Sequence, residues 1–282
     1  MITISATQFA SLHTYEGNVR KAIEIVRKAK KKNADVVLLQ ELFAGDYFCQ
    51  KEDYGNFALA QEEERSDLLR TFSNLAEEEQ VVLPVSFFER DGNCYYNSLV
   101  CFDKDGKKLG LYRKSHIPTG ECYEEKFYFR PGNTGFQVFH TKDGYNLGVA
   151  ICWDQWFLET GRILTLKGAD FLLFPTAIGS EPVLKNDTST HWTNALKGQA
   201  ALNIVPVIAS NRIGTEKAMD SSMTFYGSSL LTDEEGSTLL QASRDKEEIL
   251  VYGYDVEKIR EKRRTWGIFR DRRTDLYKDI LD

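Results

Sequence analysis

The chain has 282 residues, 42% of them hydrophobic and 28% charged, and a formal net charge of -6 at neutral pH. Such a composition supports a sizeable core and disfavours nucleic acid as a partner. No apolar run approaches the roughly 18 residues that span a bilayer, and MITISATQFA lacks the basic start and cleavage site of a secretory signal, so no membrane partner and a cytoplasmic setting are expected.

ITISATQF reads as a strand, with β-branched residues alternating with small or polar ones. In the next segment, Val19, Ala22, Ile23, Val26 and Ala29 form one helical stripe with the lysines outside. ADVVLLQE is a buried strand running to Glu41, and a helix near 62–79 leads to the strand VVLPVSFFER. A turn at Asp91-Gly92-Asn93, the strand YYNSLVCF, a second turn and the strand KKLGLYRK follow. The second half repeats the alternation: strand YNLGVAIC, helix 155–168, strand ADFLLFP, helix 187–203 and strand IVPVIASN. Two strands flank the TDEEG turn, ILVYGYDV is another, and a short basic helix precedes an aromatic tail. Helices interleaved with parallel-type strands and hairpins predict a layered α/β sandwich. With no Pro/Gly/Ser linker, residues 1–282 read as a single domain. The tail, from about 263 to 282, carries too many aromatics for a disordered end and is expected to pack on its own core or on a neighbouring subunit.

Five cysteines and four histidines show no C-x-x-C pair and no metal-like spacing, so neither a disulfide framework nor a zinc site is expected. Three chemically capable residues follow predicted strands: Glu41 after VVLL, Lys114 after LGLY and Cys152 after GVAI. Each alone has an ordinary reading: a glutamate meeting water, a surface lysine, a core cysteine. Together they form a self-consistent acyl-transfer unit at the sheet end where ligands collect. A carboxylate takes the thiol proton, and a buried ammonium stabilises the oxyanion on an attacked carbonyl. The backbone N–H of Trp153 is the natural second oxyanion donor. No metal or organic cofactor is required.

Through LLQELF, YRKSHIP and GVAICWDQWF, and over essentially its whole length, the chain resembles the nitrilase superfamily of carbon–nitrogen hydrolases. The resemblance implies a four-layer αββα sandwich and a Glu41–Lys114–Cys152 triad. It also implies a second glutamate beside the triad, matched to Glu125 in YEEKFYFRPG, with Glu124 as the one-residue slip. A homo-oligomer built from dimers is implied as well. The longer strings HIPTGECYEEKFYFRPGNTGF, PTAIGSEP, ASNRIG and WGIFRDRRTDLYK narrow the resemblance to amidases of a linear cationic ureide. That substrate class has a ureido head, a four-carbon chain and a terminal ammonium. Leu158 stands where the pattern has a proline, a departure at a helix start that touches no chemistry.

Relatives acting on carboxylate-bearing ureides place arginines just after the cysteine, whereas this chain has Trp153-Asp154-Gln155-Trp156. Glu181 is the expected partner of the distal ammonium, and Tyr47, Trp153 and Trp192 are expected pocket walls. Asp154 is expected on nearby backbone, and His116 and His191 in structural positions. Other amidases of the superfamily (ω-amidase or ureidopropionase types) and a non-catalytic metabolite-binding scaffold remain as alternatives.

Overall fold

The structure, a computed structural model, describes residues 1–180 and 187–281. Its first half runs β1 (Ile2–Gln8), α1 (Tyr15–Lys31), β2 (Val36–Leu38), α2 (Asp67–Glu79), β3 (Leu83–Asp91), β4 (Cys94–Phe102) and β5 (Lys108–Arg113). Next come α3 (Glu125–Tyr128), β6 (Gln137–His140), β7 (Asn146–Val149), α4 (Leu158–Leu166), β8 (Phe171–Pro175), β9 (Gly179–Ser180) and α5 (Ser189–Asn203). The chain then forms β10 (Val207–Ser210), β11 (Ile213–Ala218), β12 (Ser221–Tyr226), β13 (Leu230–Thr232), β14 (Thr238–Gln241), β15 (Glu248–Tyr254) and α6 (Val256–Trp266).

One sheet has the order β15-β1-β2, and a parallel bridge between Val36 and Val82 continues it into β3-β4-β5. The other runs β14-β13-β10-β8-β7-β6, and a smaller sheet pairs β11-β12-β9. Helices α1 and α2 lay Ala22, Val26, Phe72 and Leu75 on Val37, Leu39 and Val85 of the first sheet. Its other face presents Ile4, Val36 and Leu99 to Val149, Leu173 and Ile208 of the second, whose far face, with Leu172, meets Leu164 of α4 and Leu196 of α5. This is the expected αββα layering. Each element is held by burying one face, at roughly 25 cal/mol per Å² of apolar surface. Polar pins fix the register between the sheets: Thr7 N donates to Ser210 Oγ at 3.0 Å, Ser210 Oγ to Leu38 O at 2.8 Å, and Ser229 N to Gln8 Oε1 at 3.0 Å.

The stripe read for α1 is buried at Ala22, Val26 and Ala29, joined by Ile25, while Val19 and Ile23 are only partly covered. The helix expected from 62 begins at Asp67, because the Ser66 side chain accepts from Leu69 N and caps it there. The helix expected over 155–168 is split into a 3-10 turn, Cys152–Trp156, followed by α4. The sequence reading did not anticipate β6, β9 or the β11–β12 hairpin. In β11 only Ile213 and Glu216 are buried, so no apolar alternation marks it. In the tail, Phe269 lies under the Arg162 guanidinium, 4.9 Å from its ring centre, but Trp266, Leu276, Ile280 and Leu281 are exposed on this chain.

Candidate active site

The three chemically capable residues sit at one end of the two sheets, though not quite on the strands. The chain leaves β2 at Leu38 and reaches Glu41 through Leu39 and Gln40. Lys114 follows β5 directly, its N–H still donating to Asn97 O at 2.8 Å. Past β7, Ala150 and Ile151 intervene, and Cys152 opens the 3-10 turn rather than ending the strand. Its φ of 42° is left-handed, a conformation that costs a non-glycine residue roughly 1–3 kcal/mol unless its surroundings hold it.

Asp154 supplies that hold. Fully buried, its Oδ2 accepts from Ile151 N at 3.0 Å and from Tyr112 Oη at 2.7 Å. Its Oδ1 accepts from His116 N at 2.9 Å and lies 2.7 Å from His116 Nδ1. The His116 ring stacks on Phe157 at 3.6 Å. Asp154 thus holds the backbone turn that presents the thiol.

Beside it is a buried ionic cluster. Lys114 Nζ donates to Glu41 Oε1 at 2.8 Å and to Glu125 Oε2 and Oε1 at 2.7 and 3.0 Å. Asn97 Nδ2 donates to the same Glu41 oxygen at 2.7 Å, and Tyr47 Oη to Glu125 Oε1 at 2.7 Å. Glu125, not its neighbour Glu124, makes these contacts. Among the described residues the second Glu41 oxygen, Oε2, is buried without a hydrogen-bond partner.

The electrostatics follow from burial. Removal from water alone would depress the Lys114 ammonium, but Glu125 and Glu41 outweigh it and hold the group well above its ordinary range. Burial lifts Glu125 above the usual carboxylate range and the Glu41 charge adds to this, while Lys114 pulls the other way. Cys152, 5% exposed, is pushed well up by burial and by Glu41, against Lys114. Burial and the Glu41 charge thus favour the protonated thiol.

Trp153 remains 37% exposed beside the thiol, and its ring centre lies 6.2 Å from that of Trp156. Tyr47, expected as a wall, is fully buried and spends its hydroxyl on Glu125. Trp192 is also fully buried, packed in the core 5.7 Å from Tyr226 between ring centres. His191 sits against Trp156 at 4.8 Å. Glu181 lies outside the described residues. Cys49 is buried close enough to Glu125 and Glu41 that, after burial itself, their charges raise its thiol. Cys122 Sγ lies 3.1 Å from Ser221 Oγ.

Two contributors escaped the sequence reading: Asn97 and Tyr112. The available signal was a polar side chain facing inward from an apolar run, as Asn97 does in YYNSLVCF.

A buried thiol, a buried carboxylate with one oxygen unpartnered among the described residues, and a buried ammonium thus meet at one end of an αββα sandwich. Residues 3–264 match the profile of the carbon–nitrogen hydrolase family. The chain belongs to that family, within the nitrilase superfamily. It is 49% identical to the N-carbamoylputrescine amidase of Solanum tuberosum, over all of this chain and 95% of that protein. It is 44% identical to a citrullinase of Francisella tularensis, over 99% and 98% of the two chains. The crystal structure of a carbon–nitrogen hydrolase from Helicobacter pylori superposes with a TM-score of 0.94 at 39% identity, covering 100% of this chain and 98% of the other.

Proposed function

We propose that the protein hydrolyses N-carbamoylputrescine, with one water, to putrescine, carbon dioxide and ammonia, and so supplies putrescine to polyamine synthesis. Cys152 attacks the ureido carbonyl while Glu41 takes its proton. Lys114 and the Trp153 N–H stabilise the oxyanion, and Glu125 and Tyr47 keep Lys114 in place. The leaving nitrogen departs protonated, water activated by Glu41 hydrolyses the thioester-like intermediate, and the carbamic acid so released breaks down to carbon dioxide and the second amine. The observation that carries this reading is the Glu41 carboxylate: Lys114 and Asn97 fix one oxygen, while the other is buried and unpartnered among the described residues. A base held this way beside a protonated thiol can accept its proton without first losing a partner.

For the substrate, support comes from the Solanum tuberosum relative and from the residues after the thiol, where the chain reads Trp153-Asp154-Gln155-Trp156 with no arginine. Glu181 would meet the distal ammonium, with Trp153 against the aliphatic chain. The citrullinase relative favours one second reading, a ureide that ends in an α-amino acid. The test is ammonia release from N-carbamoylputrescine, citrulline, N-carbamoyl-β-alanine and a glutamine-type amide, by wild type and Cys152→Ala. Cysteine-dependent turnover of the first alone supports the proposal. Preference for citrulline or an acidic ureide overturns the substrate, and no turnover of any compound overturns the enzyme.

The exposed apolar residues Leu158, Leu166, Leu202 and Trp266 suit a homo-oligomer built from dimers, and a monomer in sedimentation would refute it. The five cysteines are free thiols, which suits a reducing cytoplasm.

A further inference from the structure

The Glu41 loop is braced from a distant part of the chain. After Glu41 comes Leu42 with a φ of 48°, again left-handed for a residue that resists it. Three groups hold the loop in this shape. Leu42 N donates to Ser86 Oγ at 3.0 Å. Arg212 Nη2 donates to the carbonyls of Glu41 and Leu42 at 3.0 and 2.6 Å, and its Nη1 to Gly45 O at 2.9 Å. Nη1 also pairs with Glu216 Oε1 at 2.9 Å, and Glu216 Oε2 accepts from Tyr47 N at 2.5 Å. Arg212 and Glu216 are both buried, at 3% and 1% exposure.

These contacts close a ring. Arg212 grips the main chain of Glu41, whose carboxylate meets Lys114; Lys114 meets Glu125; Glu125 accepts from Tyr47 Oη; and Tyr47 N returns through Glu216 to Arg212. From this geometry we infer that Arg212 and Glu216, at the start of the β11–β12 hairpin, are positioning residues. Together they set where the Glu41 and Glu125 carboxylates stand around Lys114. This inference rests on the hydrolase reading given above.

Stability alone is a poor account of the pair. A buried ion pair adds little net stability over apolar residues of the same volume, because desolvation consumes most of the Coulomb gain. What the guanidinium offers is a rigid fork that reaches several carbonyls of one loop at once, which an ammonium does not match. A displacement of about 1 Å in a catalytic group costs on the order of 10²-fold in rate.

The experiment measures kcat, KM and melting temperature for wild type, Arg212→Lys and Glu216→Gln, on the best substrate of the panel above. Lysine keeps the charge and loses the fork, and glutamine keeps the size and an acceptor oxygen. Both are expected to lower kcat by about 10- to 100-fold with KM near the wild-type value, in protein that melts cooperatively. Should Arg212→Lys fail to fold, Glu216→Gln carries the same expectation. Wild-type kcat per folded molecule in the variants, with only a lowered melting temperature, would overturn the positioning role and leave the proposed function standing. A wild-type protein that hydrolyses nothing in the panel would overturn both.

Discussion

Lys114→Met removes the ammonium from between two buried carboxylates while keeping most of the volume of its stem. In the intact protein Nζ lies 2.8 Å from Glu41 and 2.7 Å from Glu125. At an effective dielectric near 20, each contact is worth roughly 6 kcal/mol of Coulomb energy before desolvation, and burying three ions offsets most of that sum. The measurable quantity is therefore the cost of stranding the carboxylates, about 3–5 kcal/mol at neutral pH. That cost should depend on pH in a definite sense. Glu125 already sits above the ordinary carboxylate range because of burial, and losing Lys114 removes the influence that lowers it, so it rises further. A group raised in the folded state contributes stability below its unfolded value and loses it as pH climbs through the folded value. The deficit of the variant against wild type should be smallest near about pH 5 and widen toward about pH 8. Urea unfolding of both proteins across that range measures it. A loss under about 1 kcal/mol that does not change with pH would refute a charged cluster of this composition.

Further expectations concern the two loops that hold Glu41 and Cys152. Glu41→Gln should cut turnover by about 10²- to 10⁴-fold, the range for a lost general base. Asp154→Ala strands Ile151 N and His116 N, each at about 1–3 kcal/mol, leaves Tyr112 Oη with Ser115 alone, and frees the turn at Cys152. Turnover should collapse with the melting temperature, and full activity in the folded variant would show that the turn holds itself. Gly179→Ala brings a Cβ to 2.4 Å from Thr224 O, parting β9 from β12. The expected loss is about 1–3 kcal/mol by urea unfolding, and an unchanged midpoint would mean that the small sheet tolerates the shift.

How far the site could be read in advance depended on which interactions were local. Strand periodicity brought Glu41, Lys114 and Cys152 to one end of the sheets, but it carries no sign of the left-handed φ at Leu42 and Cys152. For that reason the thiol was expected on a strand end rather than on a turn. Asp154 was expected on nearby backbone, and its bond to Ile151 N is of that kind, whereas its partners Tyr112 and His116 come from β5 and the loop after it and could not be paired by spacing. Tyr47 shows the same limit: an aromatic near the site suggests a wall, but only the fold brings its hydroxyl to Glu125. The β11–β12 hairpin was missed because its polar face points to water, and with it went Arg212 and Glu216.

The protonated resting state of Cys152 bears on which molecules can poison this protein. Peroxides and simple electrophiles react with thiolates, so a sulfur kept as a thiol by burial and neighbouring carboxylates offers them little. A compound that presents an attackable carbonyl or nitrile where the ureido carbon belongs would instead be met by thiol and base acting together. Selectivity against bystander thiols would then come from the shape of the inhibitor rather than from the force of its warhead.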